Sequence, residues 1–175
     1  MNPTPDGASE ATPGTIKLIG IGQSLRGDDG AGLQAVQLWQ AKYQATGLHA
    51  EVKVELAELP GTGLLDLLQG ARLAILVDAV KSGAQAGRVH ILSPDQLGAF
   101  TCGAGSAHGF GVAEVLSLGE KLMPSQMPGK MILVGIEAGS FRMGDIISPE
   151  VAGALPGVVK LIEELITREL ANSKV

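Results

Sequence analysis

The run "RLAILVDAV" (Arg72–Val80) constrains this chain more than any other stretch. Leu73 to Val77 are five consecutive apolar residues, and the run closes on Asp78 and Val80. A run this short with no polar face reads as a strand buried on both sides. Such strands sit centrally in parallel sheets, with helices packed above and below. The rest of the chain must therefore supply those helices and the neighbouring strands.

The sequence does so in alternation. "TIKLIGIG" (Thr15–Gly22) is a short apolar run ending in glycine and reads as a buried strand. "DGAGLQAVQLWQAKYQA" follows as a helix with Leu33, Val36, Leu38, Trp39 and Tyr43 as its apolar stripe. His49–Leu59 alternates at Val52, Val54 and Leu56, as a half-exposed strand does. Thr62–Gly70 is a short helix with a glycine stop. Gly87–Pro94 and Lys130–Ala138 are further strands, and Phe110–Leu122 is a helix. Ser148–Leu170 is the last helix, with Val158, Leu161, Ile162, Leu165 and Ile166 on its core face. Pro156 and Gly157 predict a kink or restart within it. The pattern predicts an α/β fold, a three-layer α/β/α arrangement around a mainly parallel twisted sheet of about five strands. Residues 1–14 read as a flexible lead-in and 15–175 as one domain, as expected for a chain of 175 residues.

The net charge of −5 argues against a nucleic-acid binder. No apolar run reaches the roughly 18 residues that span a bilayer. The single cysteine, Cys102, excludes an intrachain disulfide framework. These features, with no signal-peptide pattern at the start, predict a soluble cytoplasmic protein.

In sheets of this kind ligands gather beyond the carboxyl ends of the strands. Three segments place reactive side chains there. The first strand runs into a loop carrying Asp28 and Asp29. Asp78 ends the central run. His108 lies in the glycine-rich "GAGSAHGFG", just before a helix. Two carboxylates and an imidazole form a mixed oxygen and nitrogen set suited to a borderline divalent metal such as nickel or zinc. Three protein ligands leave positions open for substrate. The alternatives are plain. Asp28 or Asp29 could simply cap or charge the following helix. Asp78 is harder to explain without a partner, because a buried charge is costly. His49 and His90, in strand-like segments, read as structural or exposed. Glu137 could face the same rim, though nothing local gives it a role. Cys102, six residues before His108, has the spacing of a nucleophile pair but no activating environment in the sequence.

"GIGQSLRG" (Gly20–Gly27) begins like a dinucleotide loop, but Leu25 stands where the third glycine belongs, and the acidic pair would repel a pyrophosphate. Neither GxxxxGK[ST] nor the GxSxG of a hydrolase elbow occurs.

"GIGQSLRGDDGAG", "LVDAV", "SAHGFGVAEVL", "LVGIEAG" and "SPEV", in that order from about Ile16 to Leu170, resemble the maturation endopeptidases of [NiFe] hydrogenases. One departure is Gln23, where that family usually has Asn. The resemblance implies an endopeptidase that removes the C-terminal extension of a nickel-loaded [NiFe] hydrogenase large-subunit precursor. It implies that Asp29, Asp78 and His108 are both the metal-contacting and the catalytic residues. Nickel would be carried by the precursor rather than held permanently, and the partner would be that precursor, met by a monomer. Either the metal polarises the scissile carbonyl or activates water, or a carboxylate acts as general base while nickel reports a filled site. A non-cleaving nickel-sensing module and a peptidase of related fold with another substrate are the remaining alternatives.

Overall fold

The computed structural model describes residues 14–96 and 111–172. Five strands form one sheet: β1 (Thr15–Gly22), β2 (Val52–Glu58), β3 (Ala71–Val80), β4 (Val89–Leu92) and β5 (Lys130–Glu137). Their order is β2-β1-β3-β5-β4. All neighbours are parallel except β4, which runs antiparallel to β5 at one edge. The long apolar run is indeed the central strand, β3, and Leu73 to Val77 are all buried.

Among the described residues four helices of five residues or more cover the sheet. They are α1 (Ala31–Lys42), α2 (Leu64–Leu68), α3 (Val112–Leu122) and α4 (Pro149–Asn172). Alternate residues of β1 and β3 point to opposite faces, so each strand feeds two cores. Ile16, Leu18, Leu73, Ile75 and Val77 pack with Trp39 of α1 and Ile162 of α4 on one side. Ile19, Ala74 and Leu76 pack with Leu64 of α2 and Leu116 of α3 on the other. This is the three-layer α/β/α arrangement. No described helix is long and apolar enough to cross a membrane.

Four details differ from the sequence reading. Leu38 is 43% exposed, because α1 seats itself on the sheet through the small residues Ala31, Gly32 and Ala35, together with Val36 and Trp39. On β2, Leu56 is also exposed while Ala57 is buried; the strand lies at the sheet edge, and helix cover is incomplete there. The last helix runs without interruption through Pro156. Proline removes the donor for the Ala152 carbonyl, but both residues are exposed, so water replaces the lost bond. His49 precedes β2 rather than lying in it. Its ring stacks on Trp39, and both side chains bond Glu163 of α4.

The strand order contains a reversal. After β1 the chain builds β2 on one side, then crosses to place β3 on the other. The carboxyl ends of β1 and β3 therefore flank a topological switch point, where such sheets form their ligand crevice.

Candidate active site at the switch point

Of the three aspartates singled out in the sequence, Asp29 and Asp78 come close enough at this switch point for the charge of one to act on the other. β1 ends at Gly22, and the chain turns through a short 3-10 segment, Gly27–Gly30, before α1 begins. The turn is pressed onto the strand ends. A Cβ on Gly32 would overlap the carbonyl oxygens of Val77 and Ile21, and one on Gly22 (φ +149°) would overlap that of Asp29. These glycines therefore allow direct backbone contact between the acidic turn and the sheet. That is a packing role, and it explains a GxG that belongs to no phosphate loop.

Asp78 lies near the end of β3, opposite Gly135 of β5. It is enclosed on most sides yet keeps a small open surface. Burial pushes its carboxyl up to about 7; the nearby negative charge of Asp29 pushes the same way, against one hydrogen bond from the Ala79 N–H. Asp29 is raised as well. Burial is the main cause, opposed by the Arg26 charge and the Gln23 side-chain amide. The glutamine that departs from the expected asparagine thus bonds the carboxylate itself. Two like charges crowded together without enough donors favour whatever cation arrives between them.

His108 and Cys102 lie outside the described residues. Among the described residues, no set of three or more His, Cys, Asp or Glu side chains is grouped to hold a metal.

Asp28 has the opposite environment. It is 1% exposed. Its Oδ1 accepts from the Ser148 N–H at 2.7 Å, and its Oδ2 from the N–H groups of Gly139 and Ser140 at 2.8 and 3.1 Å and the Ser148 hydroxyl at 3.1 Å. Burial alone would raise its pKa, but these four donors outweigh burial and hold it below the ordinary value. Neither Asp28 nor Asp29 caps α1, whose N-terminus is preceded by Gly30 and has no side-chain cap. Glu137, at the end of β5, is fully buried and equally well supplied. Ser82 donates through N–H and hydroxyl, Gly83 through N–H, and His90 from its ring at 3.1 Å. These bonds likewise overcome burial and lower its pKa. Neither network leaves a local mark in the sequence, since the donors lie 47 to 120 residues away in the chain.

Beside the acidic turn, Leu25 and Ile146 are 71% and 88% exposed. Both line a surface groove of about 450 Å³, with Gln34, Asp145, Ile147 and Ala152 among its other walls.

This geometry agrees with what the chain is similar to. The family profile for hydrogenase maturation proteases (HycI) matches residues 41–165. That stretch contains Asp78 but begins after the acidic turn. The HupD hydrogenase expression/formation protein of Bradyrhizobium diazoefficiens is 30% identical over 124 residues, covering 70% of this chain and 62% of that protein. The matched stretch thus spans less than two thirds of that relative. The hydrogenase maturating endopeptidase HybD of E. coli superposes with a TM-score of 0.77 at 23% identity, covering 89% of this chain and 93% of that one. The [NiFe] hydrogenase maturation protease HycI of Thermococcus kodakarensis gives 0.64 at 21% identity, covering 87% and 92%. At these identities the two structures speak for the fold. The profile spans well over half of the chain, and on that ground the chain belongs to the hydrogenase maturation protease family.

Proposed function

We propose that this protein is an endopeptidase that removes the C-terminal extension of a nickel-loaded [NiFe] hydrogenase large-subunit precursor. Family membership supports the reaction class. The observation that carries the metal-dependent reading is the Asp29–Asp78 pair, two neighbouring carboxylates with raised pKa values beside the switch point of the sheet. The nickel belongs to the substrate. Asp29 and Asp78 would hold it as carboxylates, and His108, on the family resemblance, would supply an imidazole as the third donor. Carboxylate and imidazole suit this borderline ion. Once anchored, it lowers the barrier by polarising the scissile carbonyl or by activating a water for attack. Asp78, with a pKa of about 7, is also matched to proton transfer at neutral pH. The exposed Leu25 and Ile146 offer the precursor an apolar docking surface beside the crevice.

The test is the intact mass of each hydrogenase large subunit in the native host, with and without this gene. A subunit that stays heavier by a C-terminal peptide in the deletion strain, and is not matured by an Asp29→Ala copy, supports the proposal and names the partner. Full maturation of every subunit without the gene, in a host lacking a related protease, sinks it. Binding of the nickel-loaded precursor with no shortened product would instead identify a sensing module.

A further inference from the structure

The loop between β5 and α4 is joined to the acidic turn by a dense set of bonds. Asp28 takes its four donors from Gly139, Ser140 and Ser148. The Asp28 N–H in turn donates to the Ser140 carbonyl at 3.1 Å, and the Gly27 N–H to the Asp145 carbonyl at 3.1 Å. The Gly144 N–H reaches the Leu25 carbonyl at 2.8 Å, and Arg26 Nε reaches the Phe141 carbonyl at 3.3 Å. Four consecutive residues, Leu25 to Asp28, are thus held by one distant loop. Asp29 comes next, and its Cα is only about 3.8 Å from that of Asp28. Its own backbone bonds are the 3.2 Å donation to Arg26 and the 3.3 Å acceptance from Gln23, both within the turn. β1 and α1 do not need this loop to stay in place, because their apolar side chains pack against the sheet and α4. What the loop fixes is the turn itself.

We propose that Asp28 and Ser148 form a positioning clamp that holds Asp29 at the crevice opposite Asp78. The proposal rests on the functional reading above for what Asp29 binds, but not for the clamp itself. Asp28 touches neither metal nor peptide in this scheme; it acts through Asp29. The charge and both oxygens matter. In Asp28→Asn one oxygen becomes an NH2 group. In one orientation it confronts the N–H groups of Gly139 and Ser140 and the Ser148 hydroxyl; in the other it confronts the Ser148 N–H. Groups that orient a metal ligand in this way typically carry about 10- to 100-fold of metal affinity.

The experiment uses the full chain with Ni2+ as the probe, by titration calorimetry, and amide hydrogen exchange of the metal-free protein. Asp28→Asn, folded at the assay temperature, is expected to bind Ni2+ about 10- to 100-fold more weakly. Exchange at Gly27–Gly30 should rise at least roughly 10-fold while β3 amides stay protected. Ser148→Ala removes one donor of four and should show the same two changes in smaller measure, whereas Ser148→Thr should restore both. Should Asp28→Asn not fold, the two Ser148 variants decide. Native affinity and native exchange in the folded variants overturn the clamp. If the unmodified protein takes no Ni2+ without the precursor, the affinity arm drops out and the clamp is judged on the remaining two readouts. Exchange at the turn and the position of the Asp29 carboxylate in a crystal of Ser148→Ala then decide the clamp alone.

Discussion

Four carboxylates meet at one rim of this sheet, and they form two contrasting pairs. Asp28 and Glu137 are the more deeply enclosed by solvent exposure, yet each accepts four hydrogen bonds and is held below its ordinary pKa. Among the described residues Asp29 and Asp78 have few donors; they repel one another and are raised. Burial therefore does not set the direction of the pKa shift here; the supply of donors does. The first pair ties loops together. The second has fewer partners among the described residues, which costs stability in the metal-free protein; in the proposed function this is the pair that receives a cation.

The contrast is tested most strongly by removing charge from each pair. Asp78→Asn should lower precursor cleavage by roughly 10⁴-fold, as loss of a reacting group does. The same change should stabilise the metal-free protein above pH 7, by about 3 kcal/mol, because it removes a charge whose burial is unfavourable. Denaturant melts at pH 8 with cleavage assays alongside check both. A variant that is less stable than the native chain would break the comparison.

Glu137→Gln should do the reverse. It leaves Ser82, Gly83 and His90 facing an amide, which costs about 2–4 kcal/mol. Ni2+ affinity of the folded protein should hold. A tenfold loss of affinity there would mean the two pairs are not separable.

The pH dependence sharpens the point because the pairs have opposite signs. Asp28 and Glu137 have lowered pKa values, so their stabilisation is present above the ordinary carboxylate range and fades as the pH falls below about 4. Asp78 is raised to about 7, so the unfolded chain releases its proton first and stability declines as pH rises from about 4 to 7. Metal-free protein should melt highest near pH 5, and added Ni2+ should raise the midpoint more at pH 7.5 than at pH 5. A midpoint that climbs steadily to pH 8 without metal contradicts the raised Asp78. The smallest effect is expected outside both pairs. Leu25→Asp or Ile146→Asp should raise KM for the precursor by about 10-fold, as loss of an apolar anchor does, with Ni2+ affinity unchanged.

Much of the fold was legible because each strand and helix has its own local period. "TIKLIGIG" predicts β1 to the residue, and the apolar run predicts the buried β3. Errors fell where neighbours decide burial. Leu38 and Leu56 fit their stripes, yet the helix seats on small residues and the edge strand lacks full cover. For a related reason Pro156 does not restart the helix: its effect depends on whether the freed carbonyl meets water, and that is set by which face of α4 turns outward.

The sequence by itself determined the alternating elements, the acidic turn after a glycine-ended strand, and the aspartate closing a buried run. These depend on contiguous residues, and short-range patterning records them. Only the tertiary structure decided that Asp28 and Asp29, adjacent in the chain, sit in opposite environments. Successive side chains in the tight turn leave in different directions, one toward donors from residues 139–148 and the other toward Asp78. Whether a carboxylate is satisfied or starved depends on donors more than a hundred residues away, and no local pattern encodes them.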